Sequence, residues 1–138
     1  MEKLCIAILM GGPSLEYDVS LKTGKMMVEN LDKQKYVVKK FLISRKGEWP
    51  ISLEKLKKDF DLVLLAMHGE YGEDGTVQKI LEKHKICFTG SGSKASALGM
   101  DKVKSAKLFQ KAGLKVPDFI LVKKGLRTLL GFPMVVKP

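Results

Sequence analysis

The chain has 138 residues, 45% hydrophobic and 29% charged, enough for one domain with a real core and too apolar for wholesale disorder. Against 15 acidic residues stand 25 basic ones, a net charge of +10 that suits an anionic partner. Nearly all of that charge is dispersed lysine, with Arg45 and Arg127 the only arginines, whereas base-reading surfaces favour the arginine fork, so nucleic acid is not expected. The charge is either a solvated, lysine-rich surface or, for reasons that come from the loops, suited to a small anionic ligand.

No apolar run reaches the ~18 residues of a membrane span. The stretch from Leu4 to Met10 is too short for a secretory signal and has no small-residue cleavage site. We therefore expect no membrane partner and a cytoplasmic location. Cys5 and Cys87 both sit in apolar surroundings and read as reduced, buried thiols. Two His and two Cys at scattered spacings make no zinc site.

In chain order, Lys3 to Met10 reads as a buried strand stopped by Gly11-Gly12. Glu16 to Leu31 reads as a helix with Val19, Thr23, Met26, Met27 and Leu31 on its apolar face and Gly24 as a mild cost. Tyr36 to Ile43 is a second strand, Lys46-Gly47 a turn, Glu48 to Ile51 a short strand and Ser52 to Lys58 a short helix. Asp61 to Met67, DLVLLAM, is the most apolar run and reads as a central strand buried on both faces. After a loop from His68 to Gly75, Asp74 is placed to cap a helix carrying Val77, Ile80 and Leu81. Ile86 to Thr89 is a short strand, Ser93 to Leu98 a small helix, and Asp101 opens a helix that ends at Ala112-Gly113. Asp118 to Lys123 and Met134 to Lys137 are expected strands.

Apolar strands alternating with helices imply a three-layer α/β architecture with a mainly parallel sheet. The expected division is a domain over residues 1–113 and a linker with the start of another over 114–138. A chain ending within MVVKP, an apparent strand, reads as part of something longer.

Ligands of parallel sheets bind beyond the carboxyl ends of the strands, and two glycine-rich loops leave such ends here. Gly11-Gly12-Pro13-Ser14-Leu15-Glu16 is either a structural turn or a cradle for an anion at a helix N-terminus. Its Glu16 either favours the helix dipole or holds a cation such as an ammonium. His68-Gly69-Glu70-Tyr71-Gly72-Glu73-Asp74-Gly75 delivers a histidine at a strand end, with Glu73 placed to orient its ring. A small polar stretch, Thr89 to Ser93, either contacts a ligand or turns the chain.

These loops closely resemble those of the D-alanine–D-alanine ligases, a family of ATP-grasp enzymes. The matching blocks are GGPSLEYDVSL, HGEYGEDGTVQ, FTGSG, SALGMDKVKSAKLF, AGLKVP and FPMVVKP, in family order. Departures are Lys79 after Gln78, where the family usually has Gly, and Cys87-Phe88 in place of Pro-Tyr. The resemblance implies a Rossmann-like pre-ATP-grasp domain followed by the first strands of the ATP-grasp domain. It implies that ATP phosphorylates one D-alanine and that the amine of a second attacks the acyl phosphate, for peptidoglycan synthesis.

Carried over, Glu16 would bind the first ammonium and His68 would lie by the carboxylate, as the catalytic pair. Gly12, Ser14 and Val19 would join them in substrate binding. Lys102 and Lys137 would contact the ATP phosphates. Magnesium ligands would lie beyond residue 138, and the full-length protein would be a homodimer. D-lactate or D-serine as second substrate, another ATP-grasp carboxylate–amine ligase and a non-catalytic binding module are the alternatives.

Overall fold

The computed structural model describes residues 2–122 and 132–136. They fall into two compact units, Met1–Lys102 and Val103–Pro138. The first unit holds β1 (Leu4–Gly11), α1 (Tyr17–Asn30), β2 (Tyr36–Ile43), α2 (Leu53–Asp59), β3 (Leu62–Leu65), α3 (Thr76–Lys83) and α4 (Ser93–Met100). The three strands form a parallel sheet in the order β2-β1-β3. Register runs from Leu4 opposite Tyr36 to Gly11 opposite Ile43, and from Ile6 opposite Leu62 to Leu9 opposite Leu65.

The strand at the centre is β1, not the DLVLLAM run, which corrects the expectation. Every residue of β1 from Ile6 to Gly11 is buried. Beyond its pairing with β1, β3 is met by one bridge, Val63 to Phe88. Apolarity reports burial but not rank within a sheet, because a strand covered by helices on both faces is apolar at an edge as well as at the centre.

Alternate residues of β1 enter two different cores, as the period-2 pleat requires. Ala7 and Leu9 pack with Phe41, Ile43, Leu56, Val63, Val77 and Leu81, beneath α2 and α3. Ile6, Ile8 and Met10 pack with Ala66 and with Leu21, Met27, Val28 and Leu31 of the α1 region. The sheet thus lies between two helical layers, the expected three-layer α/β fold.

The face that α1 buries is only partly the expected one: Met27 and Leu31 pack on the sheet, but Val19 and Met26 do not. Ser20 and Gly24 are its buried residues, while Val19 and Met26 are 48% and 55% exposed. Small residues let the helix lie close on the sheet: a Cβ at Gly24 would stand 2.6 Å from Met10 Sδ and 3.1 Å from its Cβ. Gly24 is therefore a packing requirement and not merely a cost in helix propensity.

Other differences are local. Residues 48–51 form no strand; the Ser44 N–H instead donates to the Glu48 carbonyl across a turn at Gly47. Ser52 caps α2, its Oγ accepting from the Lys55 N–H at 3.2 Å. The strand expected over Ile86 to Thr89 shrinks to the bridge at Phe88, with Val63 N–H donating to the Cys87 carbonyl at 2.9 Å and Thr89 N–H to the Val63 carbonyl at 3.0 Å. Its pleat sends Ile86 into the core and leaves Cys87 exposed, so Cys87 is not the buried thiol expected. Cys5 is half-buried, and both are free.

In the second unit, α5 (Lys102–Lys111) ends as its sequence suggests. Gly113 takes φ +77, Leu114 N–H reaches back to Phe109 and Gly113 N–H to Gln110, the paired bonds of a Schellman cap. The expected strands are not found over residues 118–122 and 134–136, which carry no regular structure. Val122, Val135 and Val136 are 70%, 81% and 83% exposed, and an apolar run without a paired neighbour has nothing to form a ladder with. Lys123 and Lys137 lie outside the described residues. Among the described residues no helix is long and apolar enough to cross a membrane.

Candidate functional site

The carboxyl ends of β1 and β3 are neighbours in the sheet, so the loops that leave them start side by side. Ser20 on α1 ties them together. Its fully buried hydroxyl accepts the Gly11 N–H at 2.7 Å and donates to the Ala66 carbonyl at 2.7 Å. Two backbone groups that lack a ladder partner at the strand ends are thereby satisfied. Ser20 lies one turn before Gly24 on the stripe that continues to Met27 and Leu31, and a polar residue on that sheet-facing side is the one signal.

The loops then touch through glycine. Gly12 takes φ +94, its N–H donates to the Ile43 carbonyl at 2.9 Å, and a Cβ there would meet Met67 Cε at 2.5 Å. Gly69 takes φ +68, and a Cβ there would lie 2.7 Å from Ser14 Oγ and 3.0 Å from Glu16 Oε1. Ser14 is buried, and its Oγ accepts the Glu16 N–H at 3.0 Å. Glu16 holds the N-cap position of α1 without a side-chain cap bond. Its carboxylate is exposed and joins no ion pair among the described residues. The structure therefore brings Gly12, Ser14 and Glu16 against the loop that carries His68.

Glu16, Val19 and Thr23 follow one another at spacings of three and four, which sets them along one side of the start of α1. Thr23, on the face expected to be apolar, meets the histidine. His68 Nε2 lies 2.8 Å from Thr23 Oγ1, and Nδ1 lies 3.4 Å from Glu73 Oε1. The ring is 30% exposed. Glu73 thus stands where its expected orienting role requires, and Thr23 is a partner that sequence reading missed, because only the approach of α1 to the β3 loop makes the pair.

Asp74 organises the rest of the loop. Its carboxylate accepts from the Tyr71 N–H and the Thr76 N–H, each at 2.9 Å. The N-cap position belongs to Gly75 at φ +92 and not to Asp74 as expected, so Asp74 braces the helix start from one residue before the observed cap. Burial alone pushes the Asp74 carboxyl up, but the hydrogen bonds from Tyr71 and Thr76 outweigh it and hold the group below the ordinary carboxylate range. Tyr71 sits at φ +70, and its hydroxyl accepts from Trp49 Nε1 at 2.8 Å. Buried Gln78 donates to the Gly72 carbonyl at 2.7 Å, while its Oε1 has no partner among the described residues.

The third polar stretch uses its groups internally. Thr89 Oγ1 accepts from the Leu65 N–H at 3.4 Å, and Ser93 N–H and Oγ both donate to Glu82. Those bonds from Ser93 hold the Glu82 carboxyl below its usual range. Lys102 is exposed at the first position of α5, where the first unit ends. Among the described residues no three His, Cys, Asp or Glu side chains are placed to hold a metal ion.

The loop pair thus presents a solvent-facing carboxylate and an imidazole beside glycine backbone. Such a set suits a small zwitterion, with the carboxylate for a cation and the ring for an anion.

The family described as D-ala D-ala ligase N-terminus matches residues 5–59 and 50–91. A D-alanine–D-alanine ligase of Bacillus anthracis is 43% identical over 140 residues, covering 96% of this chain and 44% of the relative. One from Clostridium beijerinckii is 38% identical over 139 residues, covering 96% and 45%. The crystal structure of the Bacillus anthracis ligase complexed with ATP shares 39% identity at a TM-score of 0.71, over 94% of this chain and 42% of that one. The VanG D-Ala:D-Ser ligase of Enterococcus faecalis shares 32% identity at 0.74, over 85% and 44%. This chain therefore spans less than half the length of the relatives it matches, and it belongs to the D-alanine–D-alanine ligase family, matching the amino-terminal part.

Proposed function

We propose that this chain supplies the first-substrate side of an ATP-dependent ligase that joins two D-alanines through an acyl phosphate for peptidoglycan synthesis. The observation that carries the reading is the meeting of the two loops, which sets the Glu16 carboxylate, in no ion pair among the described residues, against Gly69, next to His68. Glu16 holds the ammonium of the first D-alanine. His68 lies by its carboxylate and stabilises the charge of the acyl phosphate. Gly12 and Ser14 keep the loop close to the substrate, and Val19 lines it. Lys102 and Lys137 act as point charges for ATP phosphates. Residues 1–113 serve as the substrate domain and 114–138 as linker and start of the next domain. The full-length protein works in the cytoplasm as a homodimer. The described residues supply no ligand set for magnesium.

Titration of this chain with D-alanine, and with propionate as the analogue lacking the ammonium, tests the reading. D-alanine binds more tightly, and Glu16→Gln removes that preference, a loss of about 10- to 100-fold for a charge-assisted hydrogen bond. Equal binding of D-alanine and propionate by the unaltered chain would refute it. The chain alone is expected to release no ADP with D-alanine and ATP; turnover near that of a full-length relative would contradict that part.

A further inference from the structure

We propose that Thr23 and Glu73 are positioning residues that hold neutral His68 as a single tautomer, with the proton on Nδ1 and the Nε2 lone pair engaged by the Thr23 hydroxyl. A neutral imidazole has one donor and one acceptor nitrogen. Glu73 Oε1 lies 3.4 Å from Nδ1, and an ionised carboxylate only accepts, so Nδ1 carries the proton. Nε2 is then the acceptor, and Thr23 Oγ1 at 2.8 Å donates to it. A hydroxyl rotates to serve either role, so Glu73 selects the tautomer and Thr23 follows. The reverse assignment would set the Nδ1 lone pair against the carboxylate.

The two anchors come from different elements, α1 and the loop after β3. These are the same two pieces that Ser20 joins through its bonds to Gly11 and Ala66. The plane of the ring is therefore fixed by the packing of helix on loop. Only for its consequence does the inference rest on the role proposed for His68. The neutral ring has no free N–H to offer an oxyanion. It gains one at Nε2 by taking up a second proton, with the Thr23 hydroxyl turning from donor to acceptor or giving way to the ligand.

The test is long-range proton–nitrogen NMR of the histidine rings in the ligand-free chain at about pH 8.5, above the ordinary histidine range. His84 serves as an internal reference, since its Nδ1 lies 3.0 Å from the Ile80 carbonyl, which only accepts. The expected result is His68 protonated at Nδ1 alone. Glu73→Ala, at a half-exposed side chain, shifts His68 to a mixture containing the Nε2–H form and leaves His84 unchanged. Thr23→Val leaves the proton on Nδ1, because Glu73 still selects it, but moves the Nε2 shift as that nitrogen loses its hydrogen bond, and Thr23→Ser restores the shift. Protonation at Nε2 in the unaltered chain would overturn the proposal, as would an unmoved His68 signal in Glu73→Ala. No ligand is present, so failure of the D-alanine titration leaves this result standing, and failure here leaves the Glu16 test intact.

Discussion

Replacing Ser20 by alanine removes one oxygen and breaks two bonds that close the strand ends behind the site. The Gly11 N–H loses its acceptor at 2.7 Å, and the Ala66 carbonyl loses its donor at 2.7 Å. The position is fully buried, so water does not replace the hydroxyl without opening the contact between α1 and the sheet. An unsatisfied buried backbone group costs about 1–3 kcal/mol. With partial relaxation the pair amounts to about 2–4 kcal/mol. For a chain of this length that lowers Tm by about 10 °C. Urea unfolding followed by the fluorescence of Trp49, the single tryptophan, reads the first unit directly. Ser20→Cys keeps the volume with a weaker donor and falls between the two. A loss below about 0.5 kcal/mol for Ser20→Ala, with an unchanged slope against urea, would show that these bonds do not hold the loops together.

Gly24→Ala tests the close approach of α1. Despite alanine's advantage of about 1 kcal/mol in a helix, the change destabilises, because the new methyl meets Met10; in a Met10→Ala background, which removes the Sδ and Cε contacts and keeps the one to Cβ, the cost is smaller, which a double-mutant cycle reads as coupling. Gly75→Ala and Gly47→Ala have similar φ, +92 and +83, but a Cβ at Gly75 would stand 2.3 Å from the Ser93 carbonyl while one at Gly47 meets nothing within 4 Å. The first therefore costs more than the ~1–2 kcal/mol of left-handed strain that the second carries, measured by thermal unfolding. Asp74 gives a signed pH dependence. Its carboxyl is held below its ordinary value in the folded chain, so its stabilisation is present above the unfolded pKa and lost as pH falls through the folded one. Because the group is largely solvated, the amount is at most about 1 kcal/mol. Asp74→Asn is less stable at pH 7, loses less between about pH 5 and pH 2, and an unaltered acid limb would refute the assignment.

Much of the site was legible in the loops. Gly12, Glu16 and His68 stand out because glycine-rich loops at the ends of apolar strands leave few other residues to carry chemistry, whereas Ser14 entered only through the family resemblance. Glu73 was legible as well, since it shares a short loop with the ring it meets. Thr23 and Ser20 were not. Each is an ordinary polar residue in a helix until the angle of α1 on the sheet brings it to Nε2 or to the two strand ends.

What the sequence by itself determined is the order of the helices and of β1, β2 and β3 through Lys111, the parallel α/β class, the two glycine loops and the resemblance in their motifs. These follow from local periodicity and turn chemistry, which act over a few residues. Only the tertiary structure decided that β1 and not β3 is central, that α1 buries Ser20 and Gly24 while exposing Val19 and Met26, and that residues 118–122 and 134–136 form no strand. The physical reason is common to all three. A strand's rank, a helix's buried face and the existence of a ladder depend on a partner, and the partner lies far away in the chain.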